Sequence, residues 1–405
     1  MNVRRSSGCL RSNMKQLLQI LVFQLVFMLV SCGGNSQEPP MPPVPEQAPR
    51  SVLVYMSANN SLGYLTNEND KVYDAADLEE MQRAAIAGDL GNSRLIVYHH
   101  ARKSAAELKE ITVEGGIKTL KVYDTAESSS SVSRMEQVID DFKHFAPAEK
   151  YGLVFWSHGS GWLQNGIERI VRRSFGEDGI KSDEGGVLKT NVTAMARVLE
   201  GEGFDYIYFD CCYMSTIEVM YELRKAAPLI VASPTLLHAD GMPYDISLKH
   251  LMLRNADVVG AVQDVFQFYD ARTADDRTCA LAVVYTPMLD ELASLTREVY
   301  AYQRKINSDA GIQRYTTDRP CYYYDFRQCV EKRSIDQSLL DRWIEVFDRT
   351  VVYKAATPEI FSTLKIDSDL YSGLSTHLIM EPADTIKQNY NELSWHTDVV
   401  SALFE

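Results

Sequence analysis

Residues 152–162 read GLVFWSHGSGW: a short apolar run that breaks into a glycine-rich turn around one histidine, His158. Residues 206–216, YIYFDCCYMST, repeat the pattern, with an apolar run ending in Asp210-Cys211-Cys212. Apolar runs of this length, bounded by turn residues, read as strands buried on both faces. Ser215 with Glu218 three positions later forms a capping box, which predicts a helix over 215–226. Two buried strands that each run into a polar turn place their reactive side chains at strand ends.

Working outward, 51–57 (SVLVYMS), 94–99 (RLIVYH) and 229–233 (LIVAS) are further β-branched runs, and 118–123 is a weaker one suited to an edge. Helical spacing of apolar residues appears at 77–87, 133–145 and 193–200, the second opened by a Ser133–Glu136 capping box. This alternation predicts an α/β fold, a mostly parallel sheet flanked by helices on both faces. Beyond Asp245 the pattern turns mainly helical, over 248–269, 288–305 and 337–355, with one strand at 278–285. Residues 306–336 carry no clear period, and 369–405 are mixed. The expected organisation is 1–31 as a leader, 32–50 as a tether, 51–245 as the catalytic domain, and 246–405 as a C-terminal region packed on it.

In sheets of this kind, sites lie at the carboxyl ends of the strands. His158 and Cys212 both fall there, 54 positions apart. A free thiol has a pKa of about 8.5, so its nucleophilic thiolate is a minority near neutrality. A neighbouring imidazole lowers that pKa and later protonates the leaving amine. A helix start close behind Cys212 would favour the thiolate further. The Gly159 and Cys212 N–H groups are the candidate oxyanion donors. Alone, each residue has a plainer reading, His158 as a loop residue and a Cys at a strand end as inert packing. The pairing of both at strand ends is what points to a thiol nucleophile.

The segments 156–162 (WSHGSGW) and 209–219 (FDCCYMSTIEV) resemble the His and Cys motifs of the clostripain family of cysteine peptidases. Residues 54–60, 231–234, 372–375 and 390–395 resemble other parts of the same family, so the likeness spans about 51–400. The resemblance implies a caspase-like fold, a Cys–His dyad and cleavage of protein or peptide substrates after Arg or Lys. The family's usual Asp-Ala-Cys is Asp210-Cys211-Cys212 here, so the match assigns the nucleophile to Cys212. Cys211 departs from the pattern, and a Cys211–Cys212 disulfide that silences the enzyme is a second possibility. The resemblance also implies a carboxylate for a basic substrate side chain, with Asp210 and Asp240 as candidates. Their plainer readings are a cap beside the helix and a turn residue beside Gly241. It further implies activation by cleavage between the His and Cys motifs. Arg172 and Arg173 are the candidate sites, in a segment that reads equally as a solvated basic loop.

No cofactor and no specific metal ligands are expected. Calcium stimulation occurs in the family, but Asp178, Asp183 and Glu184 lack EF-hand spacing and read as a solvated charged face. Among the seven cysteines, Cys321 and Cys329 can pair or remain free thiols.

The first 31 residues hold four basic and no acidic side chains, and 17–30 form an apolar stretch too short to span a bilayer. Leu29-Val30-Ser31-Cys32 matches a lipobox, so Cys32 is the expected lipidation site and the bacterial cell envelope the expected location. Six prolines in 33–50 make that segment an extended tether. Without the leader's four, 37 basic residues face 55 acidic ones, a net charge of −18. Such a surface repels nucleic acid. A monomer is expected. The competing functions are a catalytically silent binding lipoprotein, which loss of His or Cys would favour, and a glycan-directed protein, for which no placed carboxylate pair is visible.

Overall fold

The computed structural model describes residues 47–163, 175–181, 187–333, 336–385 and 387–405. In chain order its main elements are β1 (Ser51–Ser57), α1 (Tyr73–Ala87), β2 (Arg94–His100), β3 (Glu107–Ile111), β4 (Ile117–Val122), α2 (Val132–Phe145), β5 (Tyr151–Trp156), β6 (Phe175–Lys181) and β7 (Val187–Thr190). They continue with α3 (Val192–Leu199), β8 (Phe204–Asp210), α4 (Ile217–Glu222), β9 (Leu229–Ala232), α5 (Tyr244–Leu251), α6 (Val258–Asp270), β10 (Ala280–Tyr285) and α7 (Leu289–Tyr302). The last are β11 (Tyr324–Asp325), α8 (Phe326–Glu331), α9 (Gln337–Thr350) and β12 (Val351–Ala356).

A nine-stranded sheet forms the centre, in the order β12-β10-β9-β8-β5-β1-β2-β3-β4. The five strands from β9 to β2 are parallel, and the outer ones are antiparallel. The weak 118–123 strand is indeed the edge. Successive residues of β1 alternate between two cores. Leu53 and Tyr55 pack with α2, α3, α4, α7 and α9 on one face, and Val52, Val54 and Met56 with α1, α5 and α6 on the other. Burial on both faces is why these strands read as unbroken apolar runs rather than as alternating ones.

Several local expectations shift. Helix α2 is capped by Ser131, whose hydroxyl accepts the Arg134 N–H at 3.1 Å, not by Ser133. The predicted helix over 248–269 is two helices. Buried Arg50 takes the carbonyls at the end of α5, donating to Leu253 O at 2.7 Å and Arg254 O at 2.9 Å. Asp257 then caps α6. The predicted helix over 337–355 stops at Thr350, because the β-branched Val351-Val352 pair continues as β12.

The region beyond residue 245 does more than pack onto the sheet. It supplies β10 and β12, and residues 47–405 cluster as one compact unit. Cys321 and Cys329 are buried free thiols.

Candidate active site

Strands β5 and β8 are neighbours, and Trp156 pairs with Asp210 at their carboxyl ends. His158 and Cys212 each lie two residues past that pair. Both line one cavity of about 420 Å³, together with Trp156, Asp210, Leu237 and Phe361. The two residues that the sequence singled out therefore line one cavity at the carboxyl ends of central strands.

The chain around each is held tightly. The His158 carbonyl accepts the Gly176 N–H at 3.0 Å, and Gly159 forms a bridge with Phe175. A Cβ on Gly159 would sit 2.5 Å from the Cys212 carbonyl oxygen and 2.9 Å from Cys211 Cβ. Gly159 thus permits the His loop to touch the Cys loop. On the other side of Cys212, Tyr213 has φ +59, the left-handed region that costs a non-glycine residue about 1 kcal/mol. That strain is offset by its N–H bond to Thr235 O at 2.9 Å and by a stacked Tyr323 ring with centroids 4.4 Å apart.

The predicted capping box does not form. Thr216 caps α4, which has only six residues and begins five positions past Cys212. Ser215 instead donates to Gly373 O at 2.7 Å and its carbonyl accepts the Ser375 N–H at 2.9 Å. Glu218 accepts from Thr376 Oγ1, the His377 N–H and Tyr390 OH at 2.8–2.9 Å. The Leu237 N–H donates to Cys212 Sγ at 3.3 Å. A donor of that kind favours the thiolate over the thiol.

The two adjacent cysteines differ sharply. Cys211 is 2% exposed and its thiol donates to Phe155 O at 3.2 Å. Burial first, and the Asp210 charge second, push its pKa well above the ordinary thiol range. Cys212 is half-buried on the cavity wall. Both are free thiols.

Asp210 is 7% exposed, accepts the Met242 N–H at 3.0 Å and takes the Tyr244 hydroxyl at 3.3 Å. Burial raises its carboxyl to about 6, against the lowering effect of those two bonds. Behind it lie Asp77, which accepts the Trp156 indole N–H, and Glu80, raised to about 7 chiefly by burial. Asp240 stands apart. It is held below the usual carboxylate range chiefly by its His238 hydrogen bond, with Arg272 pairing at 3.0 Å. It lines a neighbouring cavity of about 80 Å³ rather than that of Cys212.

Asp178 is not on a solvated face. It is fully buried, with Asn59 at 2.7 Å, Ser128 Oγ at 2.9 Å, the Ser129 N–H at 2.7 Å and His100 at 3.3 Å. It anchors β6, the strand that supports the His158 loop. Among the described residues no cluster of three His, Cys, Asp or Glu could hold a metal ion. Arg172, Arg173, Cys32, Asp183 and Glu184 lie outside the described residues.

One close neighbour of His158 was missed by the sequence reading. Ser61 Oγ lies 2.7 Å from His158 Nε2. The 54–60 motif stops one residue short of it, and a lone serine after two asparagines carries no periodic signal.

Residues 54–390 match the model of the clostripain family. Clostripain of Hathewaya histolytica is 24% identical over 218 residues, covering 48% of this chain and 40% of that protein. This chain therefore spans less than half of that relative. A secreted C11 cysteine protease from Bacteroides thetaiotaomicron, solved with an irreversible peptide inhibitor, superposes with a TM-score of 0.72 at 25% identity, over 88% of this chain and 99% of that one. An inactive zymogen C11 protease from Parabacteroides distasonis superposes with a TM-score of 0.73 at 27% identity, again over 88% and 99%. The match runs through both strand-end motifs and on into the strands beyond residue 245, and on that ground the chain belongs to the clostripain family.

Proposed function

We propose that this enzyme cleaves peptide bonds after Arg or Lys with a His158–Cys212 dyad. The observation that carries the reading is that His158, Cys212 and buried Asp210 share one cavity wall. In the cycle, His158 takes the Cys212 proton and the thiolate attacks the scissile carbonyl carbon. Gly159 and Cys212 N–H groups receive the developing oxyanion, each such donor being worth roughly 3–4 kcal/mol of barrier. Collapse breaks the C–N bond, the imidazolium gives its proton to the leaving amine, and water then hydrolyses the thioester. Asp210 receives the cationic side chain, because a buried cation without a carboxylate is costly. Asp240, paired with Arg272 beside the neighbouring cavity, is the alternative carboxylate for that side chain.

Purified protein is expected to hydrolyse Arg- and Lys-amides at least ~100-fold faster than a neutral amide, given the several kcal/mol at stake in an unpaired buried charge. A thiol alkylator should stop the reaction. Absence of hydrolysis at any basic residue, or hydrolysis that survives alkylation, would overturn the reading.

Activation is by self-cleavage after Arg172 or Arg173. The anchoring of β6 directly after that segment supports this, since the strand behind the cut is tied down by Asp178. The Parabacteroides distasonis relative solved as an inactive zymogen is consistent with it. Intact mass should show a cut wild-type chain and an uncut Cys212→Ala chain; an uncut, active wild type refutes it. Lipidation at Cys32, an envelope location and a monomeric state complete the proposal.

A further inference from the structure

We propose that Ser61 is a positioning residue of the dyad, holding the His158 imidazole by Nε2 so that Nδ1 exchanges the proton with Cys212. This rests on the dyad reading above.

The geometry behind it is a rigid presentation of one hydroxyl. Ser61 opens a single 3-10 turn, Ser61–Gly63, at the end of β1. Asn60 caps that turn, its side-chain oxygen accepting the Leu62 N–H at 2.9 Å. The Asn60 amide also donates to Ser57 O at 2.8 Å and Ser157 Oγ at 3.2 Å, and Ser157 Oγ donates to Ser57 O at 2.9 Å. Asn60 therefore ties the turn that carries Ser61 to the residue before His158. The turn closes only because Gly63 lacks a side chain: a Cβ there would fall 2.0 Å from Ala58 O. The Leu65 N–H adds a bond to Ser61 O at 2.9 Å. From this frame Ser61 Oγ reaches Nε2 at 2.7 Å.

Which ring nitrogen carries the proton is set by the bond the other makes. A hydroxyl that accepts Nε2–H fixes that tautomer and leaves proton transfer to Nδ1. The bond persists when the ring becomes imidazolium, so Ser61 stabilises the charged half of the thiolate–imidazolium pair. A neutral hydroxyl does this without the strong basicity that a carboxylate would impose.

The test is the pH profile of Cys212 alkylation by iodoacetamide, read by mass on the Cys212 peptide, beside amide hydrolysis. It uses wild type, Ser61→Ala and Ser61→Thr, with thermal midpoints as a fold control. Loss of a hydrogen bond to a charged group predicts a fall in kcat of roughly 10- to 100-fold for Ser61→Ala with KM little changed. The plateau of alkylation near neutrality should fall several-fold and its upper limb should move to lower pH. Ser61→Thr, which keeps the hydroxyl, should restore the profile. A Ser61→Ala profile that superposes on wild type overturns the proposal, as does a loss that Ser61→Thr fails to rescue while its thermal midpoint is unchanged. A wild-type Cys212 that alkylates like an ordinary thiol would instead overturn the dyad itself.

Discussion

Cys212→Ala is expected to lower hydrolysis of an Arg-amide by about 10⁴-fold or more, the scale on which a covalent nucleophile is lost. Cys211→Ala should keep activity within a few-fold of wild type. The contrast follows from where the two sulfurs sit. Cys211 Sγ is buried and bonded to Phe155 O, in surroundings that hold it as a thiol. Truncating it leaves a small cavity, at a cost of about 1–2 kcal/mol in stability, on the scale of small core truncations. Cys212 Sγ lines the cavity and receives a backbone N–H, so it alone combines access with support for the thiolate. Alkylation at pH 7 followed by peptide mapping checks both halves: label should appear on Cys212 and not on Cys211. Equal labelling, or a Cys211→Ala variant as dead as Cys212→Ala, would reverse the assignment.

Asp210→Asn is expected to lower kcat/KM for Arg-amides by about 10²- to 10³-fold, since breaking one side of a buried ion pair costs about 3–5 kcal/mol. Neutral amides should lose far less. The same carboxylate gives a pH signature. Burial raises its folded-state pKa to about 6, above the 3.8 of an exposed aspartate. Between those values the folded protein holds a proton that the unfolded chain has released. The folded state is therefore favoured at low pH, and that contribution is lost as pH rises through 6, on the order of 2–3 kcal/mol in all. A basic substrate side chain prefers the ionised form, so kcat/KM for Arg-amides should climb as pH rises through about 6. Asp210→Asn should flatten that limb and raise the thermal midpoint at neutral pH. A variant that keeps the Arg preference and the limb would move the recognition to Asp240.

Much of this was legible in the sequence because it is local. Strands β5 and β8 are unbroken apolar runs, and their ends differ from the expectation by one or two residues. The convergence of His158 and Cys212 follows from parallel strands that lie side by side. What failed depends on partners far along the chain. Ser215 and Glu218 have capping-box spacing, but Gly373, Thr376, His377 and Tyr390 compete for them and win. Ser131 and Ser133 are both sound caps on paper, and the entry of the chain into α2 chooses between them. Asp178 looked like a surface acid because its neighbours in sequence are charged, while its partners come from β2 and two loops. Ser61 has no pattern at all, only a position that the turn at Gly63 creates.

The straps from residues 373–394 onto the nucleophile's helix carry a consequence for how the enzyme is made. Glu218 and Glu222 take their partners from Thr376, Tyr390 and Ser394, so the segment behind Cys212 is completed by residues that leave the ribosome long after it. A nascent chain that has exposed both His158 and Cys212 still lacks the bonds that hold the helix behind Cys212. The short helix behind Cys212 is thus fixed in place only after every strand of the central sheet has been made.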